Sequence, residues 1–234
     1  MKNVGREKKN TMILRAIFLY LNAVDFEAAF RVKFEYQARK LCNFLQRHII
    51  QGKVTTEKYS RICFSGTSGA IREAYVNSSN ALIVEFPIKI EDYSSKNDDE
   101  LDEYIISLIE IGMKCCPRKF ELPKEAIEDG IAKFRNCSYK NEWILKNKKL
   151  NNRNFSCTLS CSLTFYEFVL MARILDRDGK IIECVTVLHT EPDEIFFNQY
   201  LHNNFYQNGD TLLFKKKDGR LFFEFKLPKT VLTK

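Results

Sequence analysis

Apolar and polar positions alternate most cleanly at Phe155-Ser-Cys-Thr-Leu-Ser-Cys-Ser-Leu-Thr-Phe165. Phe155, Cys157, Leu159, Cys161, Leu163 and Phe165 fall on one side of an extended chain. Ser156, Thr158, Ser160, Ser162 and Thr164 fall on the other. The pattern predicts a half-buried strand of an antiparallel sheet with one wet face. Similar runs predict strands at 142–150, 168–175, 180–190, 211–217 and 220–227, with Asp178-Gly179 and Asp218-Gly219 as hairpin turns. No Gly or Pro marks the turn between Phe165 and Phe168. Residues 193–205 fit a helix and a strand equally.

Before residue 137 the period is mostly helical. Residues 12–21 read as a first strand. Phe26, Phe30, Phe34, Ala38, Leu41, Leu45 and Ile49 then recur at steps of four and three, one stripe of a long helix that Asp25 would cap and Gly52 would end. Residues 59–64 and 80–90 read as strands, with Ser65 to Gly69 as a loop. Asn97-Asp-Asp-Glu100 opens a helix as a capping box. Leu101, Ile105, Leu108 and Ile109 form its apolar face, and Pro117 ends it. A shorter helix is expected from Pro123 to Phe134. The predicted class is α+β, with helices mainly in the N-terminal half and a meandering antiparallel sheet in the C-terminal half. One domain is expected over residues 1–234. The change of character near residue 137 would mark any subdomain border, although no Gly/Ser/Pro linker stands there.

Composition narrows the class. Of 234 residues, 45% are hydrophobic and 29% charged, a globular balance. Nineteen Phe and ten Tyr stand against one Trp, so the core is expected to be aromatic. The net charge is +7, but it is divided. Lys2, Arg6, Lys8 and Lys9 make a basic N-terminal segment. Lys140, Lys146, Lys148, Lys149 and Arg153 make a second. Between them lies an acidic block of Glu91, Asp92, Asp98, Asp99, Glu100, Asp102 and Glu103 with Lys96 inside it. Patches of both signs argue against one dominant nucleic-acid face. The apolar run after the basic N-terminus is broken by Arg15 and is too short to span a bilayer, so no export signal or membrane anchor is expected.

Eight cysteines invite a search for disulfides or metal. Cys115 and Cys116 are adjacent, and Cys42, Cys63, Cys157 and Cys184 sit in apolar runs. That pattern predicts reduced, buried thiols in the cytosol. Cys157 and Cys161 would lie about 13 Å apart along a strand, too far to share one zinc. His48, His189 and His202 are the only histidines, and none stands at HExxH spacing. His189-Thr-Glu191 lacks the cysteine pair that would make it a zinc deaminase motif. No metal, cofactor or catalytic residue is therefore expected.

Three weaker signals remain. Gly66-Thr-Ser-Gly69 approaches a nucleophile elbow, but Ala70 stands where the last Gly belongs. Asp210 with Glu224-Phe-Lys226 resembles the PD-(D/E)xK nucleases. On a hairpin turning at Asp218-Gly219, residue 213 would face Glu224, which leaves Asp210 roughly 10 Å further along the strand. Tyr139 to Lys149 mixes aromatics with lysine, as single-strand binders do, although Trp143 on an apolar face reads as a core anchor. A metal-dependent nuclease and a nucleic-acid binder thus stay open as alternatives.

The acidic helix start carries the strongest functional signal. Acids at a helix N-terminus favour the macrodipole by about 0.3–1 kcal/mol each. Asp98, Asp99, Glu100, Asp102 and Glu103 exceed what capping requires. An exposed acidic cluster is what an inhibitor would present to a basic partner. These five are the expected partner-binding residues, with Asp99, Asp102 and Glu103 on the outward arc.

In layout the chain resembles the immunity proteins of bacterial polymorphic and contact-dependent toxin systems. The features that carry this are the strand at 12–21, the long helix after Asp25, the acidic helix at Asn97, the Tyr139 to Trp143 segment and the late Asp-Gly hairpins. The resemblance covers most of the chain and includes no specific motif. It implies a cytoplasmic, non-enzymatic α+β protein that binds and blocks a cognate toxin domain. Many such proteins are acidic, and the positive net charge here departs from that.

Overall fold

The computed structural model describes residues 11–151, 154–201 and 205–232. The basic N-terminal segment, Arg153 and His202 lie outside them. The chain divides into two compact units, with the border between Tyr139 and Lys140. The class is α+β, helices mostly N-terminal and antiparallel sheets C-terminal.

The first unit contains β1 (Met12–Ile13), β2 (Ala16–Leu21), α1 (Ala28–Gln51), β3 (Thr55–Thr56), β4 (Arg61–Thr67), β5 (Tyr75–Val76) and β6 (Ala81–Pro87). It continues with α2 (Ile90–Ser94), α3 (Asp98–Cys115), a 3₁₀ turn (Arg118–Phe120) and α4 (Lys124–Asn136). Its main sheet has the order β2-β4-β6-β5. β2, β4 and β6 are mutually parallel, and β5 closes one edge antiparallel. Consecutive residues of β4 and β6 are buried, as a strand sandwiched between layers requires. Phe34, Ala38, Leu41, Leu45 and Ile49 of the α1 stripe are buried, and α1 packs on β2 and α4. α3 packs on β4, β6 and α1. Gly112 sets the closeness of that contact, because a Cβ there would lie 2.4 Å from the Phe64 ring.

Several local expectations change. Residues 12–21 form two strands, because the chain switches partner at Leu14 and Arg15. The Leu14 N–H donates to Val54 O (2.9 Å) and the Arg15 N–H to Ser60 O (2.8 Å). Asp25 does not cap α1; Glu27 holds that position without a side-chain bond. The stretch from Ser65 to Gly69 is not all loop, since β4 runs to a buried Thr67. α1 ends at Gly52, but the left-handed turn falls on Lys53 (φ 51°). The capping box of α3 forms as read. Asn97 Oδ1 accepts from the Asp99 and Glu100 N–H groups (3.0 and 3.2 Å), and Glu100 Oε2 accepts from the Asn97 N–H (3.2 Å).

The second unit contains β7 (Asn141–Lys149), β8 (Ser156–Leu163), β9 (Phe168–Leu175), β10 (Ile181–Thr190), α5 (Glu194–Phe197) and a 3₁₀ turn (Asn198–Tyr200). β11 (Phe205–Asn208), β12 (Thr211–Lys215), β13 (Leu221–Lys226) and α6 (Lys229–Leu232) follow. β7 to β10 form one antiparallel meander and β11 to β13 another. Cys157, Leu159, Cys161 and Leu163 are buried as the alternation requires. Phe168 stacks on Phe197 with ring centroids 4.0 Å apart, and Phe205 stacks on Phe214. The turn without Gly or Pro is made by Thr164, whose Oγ1 accepts from the Tyr166 and Glu167 N–H groups (3.2 and 3.1 Å). Gly209 (φ 59°) makes a third hairpin turn, after Asn208.

Two residues of apolar runs face outward. Leu221 is 49% exposed. A register shift after Phe214 turns it outward and lets both Phe222 and Phe223 pack on the core. Cys184 is exposed rather than buried. It lies on β10, at the end of the strand order, between two register shifts.

Candidate functional site

The acidic segment divides into two parts. Asp102 is only 8% exposed, and its Oδ2 accepts from Lys40 Nζ of α1 (2.7 Å). It is not on the outward arc. α3 buries a wide face, so Asp102 shares a stripe with Ile106, Ile109 and Met113. Burial pushes its carboxyl above the usual range, against the opposing pull of Lys40. Its Oδ1 has no partner among the described residues. Glu103 is held by the Arg135 guanidinium (2.7 and 2.8 Å) and the Tyr139 hydroxyl (2.8 Å), and the Arg135 hydrogen bonds lower its pKa. Glu91, Asp92, Asp98, Asp99 and Glu100 remain exposed, in one segment with Lys96.

The residues of the enzymatic echoes do not converge. In the second hairpin Leu213 faces Glu224 and Thr211 faces Lys226. Asp210 pairs with Lys226 (3.3 Å), not with a metal-sharing Glu224. His189 Nε2 lies 2.6 Å from Glu167 Oε2, and His48 Nε2 lies 3.0 Å from Asp129. Among the described residues, no three His, Cys, Asp or Glu side chains gather as a metal site would need. No cysteine is bridged. Burial pushes the thiols of Cys63 and Cys116 up to about 11 and that of Cys157 to about 12, so they stay protonated at neutral pH. The aromatic–lysine segment is used internally. Lys146 and Lys148 cover the buried Phe205 ring (5.5 and 5.8 Å), and Trp143 lies half-buried beside Phe168 (6.0 Å).

Sequence reasoning missed a charged cluster at the carboxyl ends of the parallel strands. Glu85 on β6 is 4% exposed. It accepts from the Arg72 N–H (2.8 Å) and Nε (2.7 Å), from Arg72 Nη2, and from Asn22 Nδ2 (3.4 Å). Burial raises its pKa, but the hydrogen bonds and charge of Arg72 prevail and hold it below the usual range. Asp25 accepts from the Thr67 hydroxyl and the Ser68 N–H (3.0 Å), and the Thr67 bond above all lowers its pKa. Open α/β sheets bind ligands at such ends where the strand order reverses. Here β2, β4 and β6 lie in chain order, and both Glu85 oxygens are taken. The arrangement works as a clamp on the loop from Ser68 to Ala74. Its one sequence signal is Glu85, the lone charge in the apolar run Ala81–Pro87.

The second unit carries a groove of about 430 Å³ on the outward face of β7, β8 and β9. The side chains of Glu142, Ile144, Ser160, Ser162, Met171 and Arg173 line it, while the Trp143 ring turns inward with Cys161. The register sets Ile144 and Met171 on either side of Ser160, and Glu142 beside Ser162. No helix among the described residues is long and apolar enough to cross a membrane. No family model matches the chain, and no curated protein or solved structure shows significant similarity to it.

Proposed function

We propose that this chain is a non-enzymatic protein-binding protein that neutralises a cognate toxin domain, acting in the cytosol. The observation that carries the reading is the division of the acidic segment. Lys40 and Arg135 engage Asp102 and Glu103, while Glu91, Asp92, Asp98, Asp99 and Glu100 stay exposed within ten consecutive positions. Glu100 also closes the capping box, so the partner-facing charge rests on Glu91, Asp92, Asp98 and Asp99. Such a surface accelerates association with a basic partner through long-range attraction. The test is co-purification from the native host with three baits: wild type, a Glu91→Lys/Asp92→Lys/Asp99→Lys variant, and a Glu125→Lys/Glu128→Lys control. A basic protein should be enriched by wild type and control and lost from the first variant. Equal recovery with all three baits would remove the acidic segment from the interface.

A further inference from the structure

We infer that a second copy of this chain docks on the open edge of β2. The two β2 strands pair antiparallel about a two-fold axis at Leu19, and the sheet of the first unit runs on through both copies. β2 is the terminal strand of that sheet, and its register with β4 is unbroken from Ala16 to Leu21. The Asn22 N–H donates to Gly66 O of β4 (2.8 Å). Backbone groups alternate in direction along a strand, so those of Ile17, Leu19 and Leu21 point the other way, to the edge. Among the described residues they find no hydrogen-bond partner. An edge of this kind is a template for another strand.

The other edges carry the devices that discourage pairing. β7 has Lys146, Lys148, Lys149 and a register shift. β10 has two register shifts, and β13 has Glu224, Lys226 and a shift in its pairing with β12. β5 and β11 are only two and four residues long. β2, Ala-Ile-Phe-Leu-Tyr-Leu, has no charge, proline or register shift.

The occupant is a second copy because this edge is self-complementary about Leu19. In the antiparallel register centred there, Ile17 meets Leu21 of the second copy and Leu19 meets Leu19, so every outward N–H and C=O group is paired. The same register sets Phe18 opposite Tyr20 twice, as aromatic cross-strand pairs on the half-buried face. α1 adds charge. A cavity of about 70 Å³ beside the edge is bounded by Phe18, Leu19 and Tyr20 of β2 and by Glu35, Arg39 and Cys42 of α1. The Arg39 guanidinium lies over the Phe18 ring, 5.1 Å from its centroid. Glu35 and Arg39 stand one helical turn apart, so the two-fold axis brings Glu35 of each copy to Arg39 of the other. Isologous contacts of this kind close as a dimer. The inference stands apart from the protein-binding reading and uses none of its residues.

Sedimentation equilibrium of the full-length chain from about 1 to 100 μM tests it. The mass should rise from one chain to two and no further. Glu35→Arg and Arg39→Glu each set like charges opposite one another twice, and each should weaken association about tenfold or more. The combined Glu35→Arg/Arg39→Glu exchange should recover most of that loss. Amide hydrogen exchange in wild type gives a readout that needs no variant. The Ile17, Leu19 and Leu21 amides should exchange about tenfold more slowly at the high concentration than at the low. A single chain up to about 100 μM, association beyond two copies, or equal affinity in wild type and all three variants would overturn the inference. So would equal protection of these amides at both concentrations, which would put another segment on the edge.

Discussion

In the first unit the paired strands β2, β4 and β6 are separated in sequence by a helix or a long loop; in the second, every paired strand is a neighbour in the chain. The ties differ accordingly. The first unit joins distant segments through charged contacts, Lys40 with Asp102, Arg72 with Glu85 and Arg135 with Glu103. The second relies on hairpins and stacked rings, and its described ion pairs, such as Arg220–Asp218 and His189–Glu167, lie at the surface. Non-local pairing must offset a larger loop-closure cost before contacts form. These polar ties join α1 to α3, α4 to α3, and the loop after β4 to β6. Hairpins need only local turns and an apolar face.

The comparison is broken most severely at the aromatic core. Phe168 is fully buried and stacks on Phe197. Phe168→Ala should cost about 3–5 kcal/mol in denaturant unfolding followed through Trp143 emission. A loss under about 1 kcal/mol would mean that the second unit does not depend on this stack. Next is Gly112→Ala. In a helix interior this change is ordinarily stabilising by up to about 1 kcal/mol. Here the new methyl would press on the Phe64 ring, so the protein should instead lose about 1–3 kcal/mol. A gain in melting temperature would show that the contact between α3 and β4 has slack.

Acid should discriminate between the ties. The Glu85 carboxyl is lowered in the folded state, so its contribution is present above the ordinary glutamate pKa and is lost as pH falls through its folded value. Wild type should lose stability below about pH 4 more steeply than Glu85→Gln. Asp102 runs the opposite way. Its carboxyl is raised by burial, so its ionised form costs stability at neutral pH, and protonation relieves that cost as pH falls through the raised value. Asp102→Asn should therefore remove a term that favours the folded state on acidification. Melting temperatures of the three proteins from pH 7 to about pH 3 check both signs. The smallest effect is expected at Glu224, exposed on β13. Glu224→Ala should change stability by within about 0.5 kcal/mol.

The same contrast explains what the sequence disclosed. Strands β7 to β10, β12 and β13 were legible almost to the residue, because alternation and Asp-Gly turns are local signals, whereas β11 was not read. Thr164 escaped notice as a turn former because its hydroxyl does the work usually assigned to Gly or Pro. Parallel pairing was not legible, since strands buried on both faces show a continuous apolar run and their partners lie far along the chain. The Glu85–Arg72 clamp was hidden for the same reason. The acidic segment was legible as charge but not as geometry. Asp102 and Glu103 are engaged by Lys40 and Arg135, which folding brings from α1 and α4. The groove was invisible because its lining comes from three strands of ordinary composition.

The central claim is that residues 91–100 steer this protein onto a basic partner. The most direct measurement is the association rate of the co-purified partner with wild type and with the Glu91→Lys/Asp92→Lys/Asp99→Lys variant, from low salt to high. The account predicts a wild-type rate that falls about tenfold or more as salt rises, and a variant that is slow throughout with little salt dependence. Equal rates for the two proteins at low salt would contradict it.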